Sequence, residues 1–408
     1  MNKKKILNDP VYGFVSIPTE LIFDLIEHPY FQRLRRIKQM GLSNYVYPGA
    51  LHTRFHHALG AMHLMQRAID TLRNKGVEIS SEEAEGSLMA ILLHDIGHGP
   101  YSHTLEGLLL DCSHEDLTLL YMKQLNLEFD NRLETAISIF EGTYPKKFLH
   151  QLISGQLDLD RMDYLKRDSF FSGVTEGNVG HDRIITMLDV RDNEIVVEQK
   201  GRYSVEQFLM ARRLMYWQVY LHKASLAAER MLRQLIQLTR TALQSGQSIP
   251  GIPSLLKSFL ISHSNPLESD NPADILDAFA KLDDVDVIYA LKTIAESDHR
   301  LLSYFAQSIL HRKLFHTQFL DTRASEGYIS KLAHKAAKHL DFPLEEAEKT
   351  IISGYESIPT YRTGKDEIKM LLKSGEILPL SHILELRSDA VTDTHFLCFP
   401  KAIRGDGF

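Results

Sequence analysis

The segment from Ser80 to Pro100 constrains this chain more than any other. Ser80 and Glu83 form a capping-box pattern, and Ala84, Leu88, Ile91 and Leu92 recur at helical spacing, so a helix starts here and buries that stripe. Gly97, Gly99 and Pro100 force it to end near Asp95. The result is a His–Asp dipeptide, His94-Asp95, carried to the end of an apolar helix. Adjacent side chains diverge on a helix, but where a helix ends the backbone can turn both toward one cation. Imidazole with carboxylate suits a divalent metal of borderline hardness. A fold that buries this helix must wrap further helices around it.

The rest of the sequence supplies them. Leu21, Ile22, Leu25 and Ile26 keep helical spacing, and Pro29 restarts the chain into Phe31, Leu34 and Ile37. A helix is predicted from Arg54 to Arg73, with Thr53 as N-cap and Gly76 closing it. Pro145 to Arg167 reads as helical with an irregular patch at Gly155, and Ser204 with Gln207 caps a very long helix running to Leu243. Short β-hairpins are expected within the first 20 residues, around Asp9-Pro10 and Gly13, and from Asn193 to Ser204 around Gly201. A Ser/Pro/Gly stretch from Ser245 to Ser254 marks a boundary between residues 1–245 and 246–408. The second part is helical to about Arg312 and then mixed, with apolar runs near Ile351 and at Phe396 to Phe399. The fold class is mainly α, with small β-hairpins and a mixed α/β C-terminal lobe.

Composition narrows the function. The net charge of −7 argues against a general nucleic-acid or membrane binder. Cys112 and Cys398 are the only cysteines, too few for a disulfide framework or thiolate metal site. The longest apolar run, Leu88 to Leu93, cannot span a bilayer. The basic start, Met1 to Lys5, meets Asn8, Asp9 and Pro10 instead of a signal-peptide core, so a cytoplasmic location is expected. Many of the 20 histidines fall between His52 and His114.

That crowding gives His94-Asp95 its weight. Upstream lies His52-Thr53-Arg54-Phe55-His56-His57; downstream lie Gly97-His98-Gly99-Pro100-Tyr101-Ser102-His103 and Ser113-His114-Glu115, then Asp158-Leu159-Asp160-Arg161-Met162-Asp163-Tyr164 and Arg167-Asp168. A second pair, His181-Asp182, has no such cluster after it and reads as a decoy. On a helix Asp160, Tyr164 and Asp168 share one face, as do Arg212, Tyr216 and Tyr220.

Phe31-Gln32-Arg33-Leu34-Arg35, Tyr47-Pro48-Gly49-Ala50, Arg54-Phe55-His56-His57 and His94 to Pro100 together resemble the HD-domain deoxynucleotide triphosphohydrolases. That group includes the mammalian sterile-alpha-motif/HD-domain enzyme and bacterial dGTPases. The resemblance covers roughly Asp9 to Leu243 and implies an HD-domain helical core. It implies His57, His94, Asp95 and Asp160 as metal ligands, and His103 with Glu106 as the catalytic His/acid pair, with His114 the next candidate for proton transfer. Arg54, His98, His114, Arg161, Tyr164 and Arg212 match phosphate-contacting positions, although Arg161 stands where the family usually has lysine. Asp168, Tyr220 and Gln39 match sugar-recognising positions. Glu27, Gln32 and Arg35 resemble positions that bind a regulatory guanine nucleotide between subunits, and read equally well as a network at a helix start.

The implied activity is metal-dependent hydrolysis of a deoxynucleoside triphosphate to deoxynucleoside and triphosphate, by a homo-oligomer. The alternatives are a broader nucleotidase or phosphomonoesterase, and a nucleotide-sensing protein without activity. The donor set admits Mn, Fe, Ni, Mg, Co or Zn.

Overall fold

The computed structural model describes residues 5–357, 361, 363–364, 366–383 and 393–404. The lysines at positions 3 and 4 lie outside them. The architecture is mainly helical, with three small sheets among the described residues. Strands β1 (Ile6–Asp9) and β2 (Gly13–Ser16) form an antiparallel hairpin. Strands β3 (Leu188–Arg191) and β4 (Glu194–Glu198) open the second sheet. The C-terminal part adds β5 (His316–Leu320), β6 (Ile352–Ser357), β7 (Lys369–Leu371), β8 (Ile377–Pro379) and β9 (Asp393–Phe399). Their orders are β3-β4-β7-β8 and β5-β9-β6.

The helix Arg54–Asn74 is the central beam, with Phe55, Ala58, Met62, Met65, Ile69 and Leu72 buried along it. Helix Ser81–Leu93 and helix Leu159–Ser172 both pack on it. The first starts with the capping box expected at Ser80 and Glu83. The second approaches so closely that a Cβ on Gly60 would lie 2.0 Å from Asp163 Oδ1 and 2.1 Å from Arg167 Nη2. Arg167 is fully buried there. It donates Nε–H and Nη2–H to Asp163, each at 2.9 Å, and Nη1–H to Asp9 at 2.7 Å. One guanidinium thus joins the N-terminal hairpin to the helix that carries Asp160.

Two expectations change. The helix expected to run unbroken to Leu243 is two helices, Arg202–Met215 and Lys223–Gln244, separated by a π turn over Tyr216–Tyr220. No glycine or proline marks the break. His222 is extended and caps the second helix by accepting from the Ala224 amide, and Tyr47 donates its hydroxyl to the Gln218 carbonyl. The second hairpin turns at Asp192-Asn193, both left-handed (φ 51° and 63°), a two-residue turn suited to strand twist. Gly201 instead precedes the next helix.

The sequence boundary at 245/246 is crossed in several ways. Parallel pairing of β7 with β4, in register Val197 to Met370, completes a sheet begun before residue 200. Asp284 accepts from the Lys38 and Tyr101 amides. A single apolar cluster extends from Val15 to Ile403. Among the described residues no helix is long and apolar enough to cross a membrane.

Breaking a buried charge network by removing one partner costs about 3–5 kcal/mol, because the others stay buried and unpaired. Arg167→Met should therefore lower stability by about that amount and loosen the hairpin. Chemical denaturation with hydrogen exchange at β1 and β2 reads both effects; an unchanged midpoint would rule out the clamp.

Candidate metal centre

Three segments meet at the inner end of helix Ser81–Leu93. His57 comes from the first turn of helix Arg54–Asn74, His94 and Asp95 from the end of helix Ser81–Leu93, and Asp160 from the first turn of helix Leu159–Ser172. His57 Nε2 lies 3.0 Å from Asp160 Oδ1 and 3.3 Å from His94 Nε2. His94 Nε2 is 3.5 Å from Asp160 Oδ1. Asp95 stands slightly wider, with Oδ2 3.7 Å from His57 Nε2 and Oδ1 3.5 Å from His94 Nε2. His57, His94 and Asp160 form the tightest group of donors.

The outer contacts say which atoms are donors. His57 donates Nδ1–H to Asp163 at 2.7 Å, and His94 donates Nδ1–H to the Ile91 carbonyl at 2.6 Å. As neutral rings, both then turn bare Nε2 lone pairs toward each other and toward a carboxylate oxygen. Such a convergence is repulsive unless a cation takes it. Bonds of ~2.1 Å to one shared ion would set adjacent donors about 3–3.4 Å apart, close to the spacings found. The residues fit a divalent metal, and the second contact of each imidazole is the feature that orients metal-binding histidines. Burial would raise the Asp163 carboxyl, but Arg167 and His57 outweigh it and hold it at about 2, so it is an anion at neutral pH. Burial likewise works against charge on His57, yet Asp160 and Asp163 lift it to about 10. Either a proton or a metal ion satisfies that pull toward positive charge.

Asp95 is held from the other side. Arg54 Nη1–H donates to its Oδ2, Arg54 Nε–H donates to Ser102 at 2.6 Å, and His98 Nε2 lies 3.3 Å from Asp95 Oδ1. Arg54 is buried here, in contact with Asp95. Gly97 makes the turn possible: a Cβ on it would lie 2.2 Å from the His114 carbonyl. Its amide donates to Thr118, which in turn donates to the His94 carbonyl.

Beyond His98 lies a second group, in which His98, His103 and His114 bring ring nitrogens within 4.8 Å of one another. His98 and His114 stack with centroids 3.9 Å apart. Glu106 accepts from His114 Nδ1 at 2.7 Å and from His103 Nδ1 at 3.3 Å. The helix carrying His103 ends at Leu105, so Glu106 reaches both rings from the helix C-cap. Burial pushes the Glu106 carboxyl up, but bonds from His103, His114 and the His114 amide hold it well below the usual carboxylate range. Burial and the nearby Arg54 push His98 well down, so it is a neutral ring.

On the opposite side Asp168 accepts from the Tyr220 hydroxyl at 2.6 Å and from His52 Nε2 at 2.7 Å. The Tyr164 ring sits between, with centroids 6.5 Å from His57 and 6.3 Å from Tyr220. The shared face of Asp160, Tyr164 and Asp168 thus runs from the His/Asp centre to Tyr220. Gln39 lies next to His52 through its amide, which donates to the His52 carbonyl; its side-chain Oε1 is buried without a hydrogen-bond partner, as is Arg212 Nε. Arg161 donates Nε–H to the Gly155 carbonyl. Gln32 and Arg35 bond locally, Gln32 to the Ile26 carbonyl and Arg35 to Gln32, while Glu27 is exposed at the end of its helix. His181 is buried and pairs with Lys166 and Asp182, apart from the cluster.

Sequence alone assigns no role to Asp163 and Arg167. Their i, i+4 spacing is visible in it, but not that the pair faces His57. Asp163→Asn should weaken divalent-metal affinity by roughly 10–100-fold, the usual loss when a histidine ligand's outer partner is changed. Titration of purified protein with Mn(II) or Co(II) measures it, and unchanged affinity with a normal melt would contradict this assignment.

The family model for the HD domain matches residues 54–168, and that for the HD associated region matches residues 179–247. Uncharacterized protein YwfO of Bacillus subtilis is 30% identical, over 100% of this chain and 94% of its own length. A crystal structure of a phosphohydrolase from Bacteroides thetaiotaomicron superposes with a TM-score of 0.92 at 44% identity, covering 97% of this chain and 99% of that one. A protein of Dictyostelium discoideum named as a SAMHD1-homologue deoxynucleoside triphosphate triphosphohydrolase is 31% identical, over 57% of this chain and 49% of its own length. With its His/Asp centre able to hold a divalent metal, the chain belongs to the HD-domain phosphohydrolase family and resembles the deoxynucleoside triphosphate triphosphohydrolase branch.

Proposed function

We propose that the protein hydrolyses deoxynucleoside triphosphates to deoxynucleoside and inorganic triphosphate. The observation that carries this reading is the continuity of the Asp160–Tyr164–Asp168 face, which links the His/Asp centre to the Tyr220–Asp168 hydrogen bond. A sugar seated there would place its 5′ oxygen toward the centre. The name of the Dictyostelium relative supports the same substrate class.

His57, His94, Asp95 and Asp160 would hold a divalent metal, which would supply Lewis-acid polarisation of a phosphate and a more acidic water. Arg54, His98, Arg161, Tyr164 and Arg212 bind and orient the phosphates. Arg212 is buried with an unpartnered Nε, a donor that a phosphate oxygen satisfies. His103 moves the proton. In its doubly protonated form the ring gives Nδ1–H to Glu106 and carries the proton on Nε2 that passes to the leaving 5′ oxygen, which leaves the ring neutral; His114, bonded to the same carboxylate, keeps that carboxylate in place. Asp168 and Gln39 grip the 3′-hydroxyl. The Tyr220 ring, fixed through its hydroxyl, closes the space beside the sugar's 2′ carbon. We further read the protein as a cytoplasmic homo-oligomer, with Glu27, Gln32 and Arg35 as candidates for a regulatory nucleotide site.

Purified protein should be assayed against four deoxynucleoside triphosphates, four ribonucleoside triphosphates and mononucleotides across several metals. Tripolyphosphate and free deoxynucleoside are the expected products; orthophosphate from mononucleotides alone would point to a broader nucleotidase. Asp95→Ala should lose metal and activity together. His103→Ala should keep its metal and lose ~10²–10⁴-fold in turnover, the usual share of general acid–base catalysis. Tyr220→Ala should raise ribonucleotide turnover relative to deoxyribonucleotide, and a wild-type protein that cleaves ATP as readily as dATP would refute the steric role.

A further inference from the structure

The turn that carries His103 is too short to hold itself. Helix Ser102–Leu105 has four residues, and a single turn fixes more backbone than its own hydrogen bonds repay. The Glu106 amide closes it on the Ser102 carbonyl at 3.1 Å, and the Leu108 amide reaches the Leu105 carbonyl at 3.1 Å. The carbonyls of Thr104 and Glu106 find their donor elsewhere, on the long helix Lys223–Gln244. Arg233 Nη1 donates to both, at 2.9 Å to Thr104 and 3.1 Å to Glu106. One nitrogen that binds both carbonyls fixes the backbone on either side of Leu105, and with it the direction in which the Glu106 side chain leaves the chain. A cation at the last carbonyls of a helix is also the favourable sign of charge there.

That direction decides what the carboxylate can reach. Glu106 Oε1 accepts from His114 Nδ1 at 2.7 Å and from the His114 amide at 2.9 Å, whereas Oε2 accepts from His103 Nδ1 at 3.3 Å. The bond to His103 is the longest of the three, so it is the first that a rotation of Glu106 would break. Burial and the neighbouring Arg230 work against charge on Arg233, and the Glu106 carboxylate supports it, so the cation and that carboxylate favour each other's charged form. Arg233 is half-buried and acts on the backbone, one layer behind the two histidines.

We propose that Arg233 is a positioning residue for proton transfer: it clamps the Thr104 and Glu106 carbonyls so that the Glu106 carboxylate stays aligned with His103. The inference rests on the reading of His103 and Glu106 given above, and extends it to a residue on a helix that begins more than a hundred positions later. Arg233 holds the end of the turn after His103, as Asp284 holds the Tyr101 amide before it.

Two variants of the full-length protein test it: Arg233→Met, which removes the donor and keeps the stem, and Arg233→Lys, which keeps the charge but presents a single ammonium in place of the planar fork. Hydrogen exchange followed by mass spectrometry reads the clamp without any turnover. In Arg233→Met the segment 102–115, which includes the His114 amide bonded to Glu106, should exchange faster while the rest of the chain exchanges as in wild type. With Mn(II)-loaded protein and dATP, kcat should fall by about 10- to 100-fold, the scale of a small misplacement of a reacting group. KM should stay within about threefold, the signature of an interaction that matters in the transition state. Arg233→Lys should recover part of kcat and part of the protection. Unchanged exchange over 102–115 in Arg233→Met would overturn the proposal, as would an unchanged kcat. Faster exchange spread over the whole chain in both variants would also overturn it, since Arg233 would then serve general stability. If the wild type cleaves no nucleotide, the reading of the substrate fails, and the exchange of 102–115 still decides whether Arg233 holds Glu106.

Discussion

Two imidazole nitrogens 3.3 Å apart, facing each other with a carboxylate oxygen between 3.0 and 3.5 Å away, so that a proton or a metal ion must lie among them, are the constraint around which the molecule is arranged. Electron-rich atoms do not assemble this way without being held. The holding is done one layer out. Asp163 and the Ile91 carbonyl fix the rings, and Arg167 fixes Asp163 while reaching Asp9 in the hairpin. Gly60 is the space this layer occupies, and any side chain there would stand where the carboxylate and guanidinium now meet. The stability of the central helix pair and the readiness of the centre for a cation are therefore the same interaction seen from two sides.

The same logic explains which parts of the centre were legible in the sequence. Three aspartates, 158, 160 and 163, sit within six residues, and composition cannot distinguish them. The structure separates their work. Asp158 caps its helix, accepting from the Arg161 and Gly155 amides. Asp163 faces Arg167, and Asp160 remains for the centre. Resemblance to a family singled out Asp160, whereas the physical reason lies in the register of that helix against His57, which one sequence does not state. Helix starts were legible because their caps are local: Ser80 with Glu83 is a bonded capping box, and Thr53 is an N-cap whose partner is His56. The π turn at Tyr216–Tyr220 was hidden because no breaker residue marks it and its cause lies elsewhere, in Tyr47 and in the Tyr220–Asp168 bond. π turns of this kind often accompany functional positions. The pairing of β7 with β4 joins residues more than 170 positions apart, beyond any local pattern.

The turn that leads into the short helix carrying His103 shows how the C-terminal third serves the centre, although among its described residues none joins the donor groups. Tyr101 and Ser102 both adopt left-handed backbone, at φ 51° and 39°, which non-glycine residues rarely hold. Such geometry costs of order 1–3 kcal/mol per residue and persists only where the surroundings over-determine it. Here the surroundings are identifiable. The Tyr101 side chain is buried, its amide donates to Asp284 at 2.8 Å, and the other oxygen of that carboxylate takes the Lys38 amide at 2.9 Å. Ser102 accepts from Arg54, whose other end holds Asp95. Burial lifts the Asp284 carboxyl to about 6, despite two amide donors, so keeping it there is itself a cost met by the packing around it. A residue nearly two hundred positions downstream thus sets the backbone from which His103 is presented. The arrangement couples the proton-carrying side of the site to the core of the C-terminal part, while the Arg167 clamp couples the donor side to the N-terminal hairpin. The two halves of the chemistry are thus anchored to opposite ends of the sequence, and Arg54, touching both Asp95 and Ser102, joins them, as does His98, which lies against Asp95 on one side and stacks on His114 on the other.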